Sequence, residues 1–112
     1  AWIGVPDWVT GVEKTDNSIP TMFDLMQNYP NPFNPTTTIR FAIPHYSLVT
    51  VKIYNMLGQE VKTLTNKEME PGLYNVQWDS KDNHGQSTAS GVYVYRVVAG
   101  QYSQSMKMLL LK

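Results

Sequence analysis

The sequence predicts an all-β fold, in which six or seven short antiparallel strands form a two-sheet β-sandwich. Three observations predict it. Apolar and polar residues alternate with the period of a strand, turn residues recur between these runs, and no stretch has the spacing of an amphipathic helix. With 112 residues, of which 42% are hydrophobic, the chain is long enough for one globular domain with one core.

The clearest alternation precedes Pro44, where Ile39, Phe41 and Ile43 share one face. A similar run follows, and a tight connection then leads into a short return strand, which predicts a hairpin. The predicted strands and connections are, in order, 36–43, 49–54, a turn at 56–59, 60–64, a turn at 70–72, 74–78, a polar loop at 79–90, 92–99, a turn at 100–101, and 102–111.

Residues 1–18 differ in character from the rest and are predicted to be an extended apolar N-terminal arm or linker, with the β-sandwich at 19–112. Large apolar side chains on such an arm would be exposed to water if nothing covered them. We expect the arm to pack on its own domain, on a neighbouring domain or on another copy of the chain. The candidate assembly residues of the arm are Trp2, Ile3, Val5, Trp8, Val9 and Val12.

The charge is balanced, with nine basic and nine acidic residues, so the composition gives no electrostatic reason to bind nucleic acid or anionic lipid. Residues 1–35 carry four acidic residues and one lysine, whereas residues 92–112 carry three basic residues and no acidic one. Either this is chance in a small sample, or the two ends meet within one chain or between chains. No apolar run reaches the length of a membrane span, so no transmembrane segment is predicted.

Nothing in the sequence predicts catalysis or a cofactor. The chain has no cysteine, which excludes disulfides, thiolate metal sites and a cysteine nucleophile. His45 and His84 lie in predicted loops and belong to neither a zinc-protease pair nor a serine-nucleophile motif. The protein is therefore predicted not to be an enzyme.

Two kinds of binding site have some support in the sequence, and each has a simpler structural explanation. Asp79, Asp82 and Asn83 cluster oxygen atoms, which Ca²⁺ prefers, but their spacing differs from that of an EF-hand, and the same residues are ordinary in turns. A carbohydrate platform needs exposed, coplanar aromatic rings, whereas the aromatic residues here alternate along strands as core residues do. The aromatic residues concerned are Tyr74, Trp78, Tyr93 and Tyr95.

The run YPNPFNP is predicted to be a structural corner that starts the strand at 36–43. Its three prolines hold φ at about −65° and lack N–H groups, which suits an exposed corner and not the ladder of a central strand. The asparagines can hydrogen-bond their own backbone, and Tyr29 and Phe33 are expected to fill the end of the sandwich between the sheets. The corner comprises Tyr29, Pro30, Asn31, Pro32, Phe33, Asn34 and Pro35.

Five separate blocks of the sequence resemble the C-terminal sorting domains of type IX secretion. They are similar also to the immunoglobulin-like domain of flagellar hook-capping proteins, which shares the pattern. The blocks are 23–39 with QNYPNPFNPTTTI, 51–61 with VKIYNMLGQEV, 71–79 with PGLYNVQWD, 89–96 with ASGVYVYR, and 106–112 with MKMLLLK. In this order they extend the resemblance over residues 22–112.

The resemblance implies an immunoglobulin-like sandwich of about seven strands without enzymatic activity, attached to the C-terminus of proteins secreted by Bacteroidetes-like Gram-negative bacteria. It implies that the outer-membrane export machinery is the partner and reads the tail of the domain. It also implies that the cargo is then released or anchored at the cell surface. The positions carried over as export-signal candidates are Gly91, Val92, Tyr93, Met106, Lys107, Met108, Leu109, Leu110, Leu111 and Lys112.

Two other function classes stay open. The first is a self-assembling structural subunit of an extracellular filament, in which residues 1–18 are donated as a strand to the sheet of the neighbouring copy. Such a head-to-tail contact does not close on itself and therefore builds a filament. The second is a carbohydrate-binding accessory domain.

Overall fold

The computed structural model describes residues 12–16 and 20–112, and these residues form eight β-strands and no helix. The strands are β1 (Val12–Asp16), β2 (Asp24–Leu25), β3 (Thr37–Ile43), β4 (Ser47–Tyr54), β5 (Glu60–Met69), β6 (Gly72–Trp78), β7 (Gly91–Ala99) and β8 (Tyr102–Leu110). They form two four-stranded sheets, in the orders β1-β6-β3-β2 and β5-β4-β7-β8. All neighbouring strands are antiparallel, which confirms the predicted all-β sandwich.

The alternation of apolar residues places the core between the two sheets. Ile39, Phe41 and Ile43 of β3 are fully buried, as predicted. The corresponding inward residues of β4 in the second sheet are equally buried. Burial of each such side chain contributes about 1.5–3 kcal/mol, and together they hold the two sheets face to face.

The aromatic residues at alternating positions form the centre of this core. Trp78 and Tyr95 are fully buried, and Tyr74 and Tyr93 are nearly so. The ring of Trp78 meets that of Tyr93 edge to face at 5.2 Å between centroids, a favourable arrangement for aromatic pairs. The prediction that these four rings belong to the core is confirmed, and they are not available as a surface platform for sugars.

Strand β5 is longer than predicted, because it continues past Leu64 to Met69. The polar residues of its second half obscured the strand pattern in the sequence. As an edge strand, β5 pairs only with β4, so several of its side chains face solvent while Thr65 and Met69 are buried. The register shifts along this pair, and such an irregularity also breaks strict alternation.

Part of the predicted arm is a strand of the first sheet. The backbone of β1 lies along β6, with Val12 opposite Val76 and Asp16 opposite Leu73. The other candidate assembly residues of the arm lie outside the described residues, as does the segment 17–19 that contains the predicted domain boundary. The boundary itself stays a prediction.

No helix in the described part of the chain is long and apolar enough to cross a membrane.

Candidate functional site: the C-terminal strand and the proline corner

The proline corner (residues 29–35) crosses from one sheet to the other. At its start Tyr29 pairs with β3, donating its N–H to the Thr38 carbonyl at 3.0 Å and accepting the Thr38 N–H at 2.9 Å. At Phe33 the chain has reached β8, where the Phe33 N–H donates to the Leu109 carbonyl and the Leu111 N–H donates to the Phe33 carbonyl, both at 3.0 Å. The corner therefore joins the edges of both sheets, which its sequence pattern alone does not reveal.

Two side chains extend this contact along the outer edge of β8. The Asn31 side-chain oxygen accepts the Leu109 N–H at 3.0 Å, and the Gln27 side-chain amide donates to the Lys107 carbonyl at 2.9 Å. We call Gln27, Asn31 and Phe33 the C-terminal clamp. Because the clamp occupies outward backbone groups of residues 107–111, this part of an otherwise open sheet edge is already paired.

A network of buried hydrogen bonds holds the residues next to the clamp. The Tyr95 hydroxyl accepts the Asn28 N–H and donates to the Met26 carbonyl, both at 2.8 Å. The Asn28 side-chain amide donates to the Thr37 hydroxyl oxygen at 2.9 Å. Burial raises the pKa of Tyr95 to about 12, so the hydroxyl keeps its proton and its role as a donor.

The prediction for the aromatic residues of the corner is half wrong. Phe33 is 2% exposed and packs against Trp78 at 5.8 Å between ring centroids, so it fills the space between the sheets. Tyr29 is 78% exposed and does not. Its backbone pairs with β3 at the sheet edge, before the chain crosses over the core, and this pairing leaves its ring on the solvent side.

The side chains of the export-signal candidates point in two directions, some into the core and others away from it. Tyr93, Met108 and Leu110 point inward and are buried, and Met106 packs against the same core from a partly buried position. Core packing is thus sufficient to explain these four residues. Three candidates within β7 and β8 point away from the core, namely Val92, Lys107 and Leu109. Gly91 lies opposite Leu110, and Leu111 and Lys112 follow the end of β8.

The outward residues of this end of the second sheet are mainly apolar. Val92 lies directly opposite Leu109, and Tyr54 directly opposite Val94. Val92 is 36% exposed, and the other three are half-buried. We call Tyr54, Val92, Val94 and Leu109 the outer apolar patch.

A polar cleft of about 340 Å³ lies beside the turn between β4 and β5. Its lining residues are Asn55, Gln59, Glu60, Val61, Asp82, Asn83, His84, Thr88, Ala89 and Tyr93. Several of its polar side chains bond one another: the Asn55 amide donates to Gln59, and the Asn83 amide donates to Glu60. A hydrogen bond from the Thr63 hydroxyl, aided by Lys52, lowers the pKa of Glu60, so this carboxylate is ionised at neutral pH.

The residues weighed as Ca²⁺ ligands serve the backbone of their own loop. The Asp82 carboxylate accepts the N–H groups of His84 and Gln86 at 2.9 and 3.0 Å, and these bonds lower its pKa. The Asp79 carboxylate accepts the Lys81 N–H, and the Asn83 side-chain oxygen accepts the Thr63 N–H of β5. Within the described ranges, no group of three or more His, Cys, Asp or Glu side chains could hold a metal ion.

Two antiparallel sheets packed over an aromatic core, with a crossing corner that pairs with the last strand, define an immunoglobulin-like β-sandwich. The chain belongs to the FlgD Ig-like domain family, whose model matches residues 34–104, more than half of the chain. A comparison with curated proteins found no match.

Two solved structures from Porphyromonas gingivalis share the fold. Dimeric latent PorU is similar with a TM-score of 0.68 and 23% identity, over 88% of this chain and 10% of PorU. PorZ, described as an essential bacterial surface component of the type-IX secretion system, is similar with a TM-score of 0.53 and 23% identity, over 77% of this chain and 11% of PorZ. The chain thus spans about a tenth of either protein, and at this identity the likeness is one of fold.

Proposed function

We propose that this chain is a non-enzymatic module for type IX export and surface attachment, acting in a secreted or cell-surface protein of a Gram-negative bacterium. The observation that carries the proposal is the contact between the proline corner and β8. These are the first and the last of the five blocks that resemble sorting domains, and they meet through the C-terminal clamp.

Two further points support the proposal. PorZ, which has the same fold, is itself a surface component of the type-IX secretion system. Residues 20–112 also offer no assembled catalytic group, since the polar cleft contains side chains that bond one another and the histidines lie in exposed loops. A folded tag needs only to be stable and to present a surface that the exporter recognises.

The test is export of a reporter. A periplasm-targeted fluorescent protein is fused in front of the whole 112-residue chain and produced in a host with an active type IX system. We expect the reporter at the cell surface or in the medium, and in the periplasm when the host lacks the system. Equal periplasmic retention in both hosts would refute the proposal.

A second candidate is a filament subunit, and the pairing of β1 with β6 favours it. Residues 12–16 are able to serve as an edge strand, so the same segment of a neighbouring copy could occupy the same place by exchange. Light scattering of the intact chain across a concentration series tests this. The filament proposal predicts growing assemblies that Trp2→Asp or Trp8→Asp weakens, whereas the export proposal requires no assembly.

A further inference from the structure

A partner cannot recognise the C-terminal strand by adding a strand of its own along the part that the clamp covers. Strand addition requires free N–H and C=O groups at a sheet edge. Here the Lys107 carbonyl, both backbone groups of Leu109 and the Leu111 N–H are already bonded to the clamp. A partner that recognises this end of the folded domain therefore has to meet its side chains.

The outer face of the second sheet is divided into two unlike halves. The solvated face of an antiparallel sheet normally carries polar residues. One half mostly follows this rule, with Lys52 opposite Arg96 and Arg96 opposite Ser105. Its one outward apolar residue on β7 is Val98, which lies between Thr50 and Ser103. The other half breaks it, because the outer apolar patch places a valine opposite a leucine and a tyrosine opposite a valine.

The turn that follows Tyr54 adds to the apolar half. Met56 is 61% exposed and Leu57 is 82% exposed, so two consecutive large apolar side chains face solvent in this turn. Neither side chain belongs to the core cluster of buried residues. Tyr54 of the outer apolar patch is thus followed closely in the chain by two exposed apolar side chains.

We propose that the outer apolar patch is the docking surface for a protein partner with an apolar centre and an acidic rim. The proposal rests on the proposed function and specifies where the export machinery contacts the folded domain. Charge complementarity indicates the kind of partner: Arg96 and Lys107 border the patch. The Glu60 carboxylate lies opposite Tyr54 and is ion-paired with Lys52 at 3.2 Å, so the border of the patch keeps a net positive charge. An acidic rim would steer and orient such a complex, while burial of the apolar centre would supply most of its affinity.

The proposal also accounts for the export-signal candidates that the core leaves unexplained. Val92 and Leu109 belong to the outer apolar patch, and Lys107 lies at its margin, opposite Val94. Their neighbours at inward positions are needed for folding. Recognition and folding are thus assigned to alternate residues of the same two strands.

The experiment uses the reporter fused to the whole chain. Val92→Glu and Leu109→Glu place a carboxylate in the patch. Thr50→Glu is the matched control, because Thr50 lies on the same outer face of the sheet, four residues from Tyr54, and is opposite Val98 and not opposite Arg96 or Lys107. We expect exported reporter to fall by at least about tenfold for the two patch variants and to stay within about twofold for the control. Lys107→Glu changes an exposed rim residue, and we expect a loss there without a change in folding.

Thermal unfolding of each purified variant separates docking from stability. Loss of export by Lys107→Glu and by a patch variant that keeps the wild-type melting midpoint supports the proposal. Export of all three variants at the wild-type level, alongside an exported wild type, overturns the proposal but leaves the export function intact. If the wild-type fusion is retained in the periplasm, both the proposed export function and this inference are refuted.

Discussion

The side-chain oxygen of Asn31 accepts the backbone N–H of Leu109 at 3.0 Å, and this bond joins residues 78 positions apart. It makes one unit of two segments that look independent in the sequence. One is a proline-rich corner, and the other is an apolar C-terminal strand. The bond lies at a sheet edge, where it takes the place that a further strand would occupy.

Replacing Asn31 by alanine removes this bond and exposes the Leu109 N–H to water. Because water can replace the lost partner at a surface site, we expect a loss of only about 0.5–1.5 kcal/mol in the free energy of unfolding. The sharper measurement is amide hydrogen exchange, which should accelerate at Leu109. Asn34→Ala, on the same exposed corner, is the control. Unchanged exchange at Leu109 would mean that Asn31 does not protect this edge.

Phe33 and Tyr29 should differ sharply in their contribution to stability. Phe33→Ala removes a buried ring beside Trp78, and we expect a loss of about 3–5 kcal/mol. Tyr29→Ala removes an exposed ring, and we expect a change within about 0.5 kcal/mol. Chemical denaturation of both variants measures the difference. Similar losses for the two would contradict the assignment of Phe33 alone to the core.

Tyr95→Phe should weaken the fold and change its response to alkali. The substitution leaves the buried Asn28 N–H without its acceptor, at an expected cost of about 1–3 kcal/mol. In the wild type the folded-state pKa of about 12 lies above the unfolded value, so the unfolded chain releases this proton first as pH rises. The contribution of Tyr95 is therefore complete below about pH 10 and is lost as pH rises toward 12.

Thermal melting from neutral to alkaline pH checks this. The fall in melting midpoint above about pH 10 should be smaller in Tyr95→Phe than in the wild type. Tyr102→Phe keeps Tyr95 and is the control, so it should follow the wild-type curve. An identical alkaline decline in all three proteins would contradict the role given to the Tyr95 hydroxyl.

The turn between β4 and β5 requires a left-handed backbone at Gly58, where φ is +81°. A Cβ atom there would have no atom within 4 Å, so Gly58→Ala is strained by the backbone alone. We expect a loss of about 1–2 kcal/mol for alanine and a smaller loss for Gly58→Asn, since asparagine tolerates this conformation better. Equal losses in urea denaturation would indicate a cause other than backbone conformation.

Local patterns were sufficient to predict most strands of this fold. Alternation in the ranges 36–43 and 49–54 placed the buried residues of β3 and β4 correctly, because period-two patterning reports burial on one face. It predicted too short a β5, since Asn66–Glu68 lie on an edge strand whose polar side chains resemble a loop. It also gave no sign of the two-residue strand β2, which is held by pairing with β3 and not by its own pattern.

The candidate site was harder to predict than the fold. The resemblance gave the tail of the chain as the candidate export signal, but it could not separate Met108, which is buried, from Leu109, which faces outward beside Val92. Nor could it pair Gln27 with Lys107, 80 positions away, because such a contact depends on how the two sheets are stacked. The difference between Tyr29 and Phe33 has the same origin.

The crossing of the proline corner has a consequence for biosynthesis. Strand β8 is the last of the eight described strands to leave the ribosome, yet residues 27–33 were made long before it and depend on it for their hydrogen bonds. Closing this distant contact carries the entropic cost of a long loop, which slows folding. The hydrogen bonds along this side of the domain therefore cannot form until synthesis has passed Leu111.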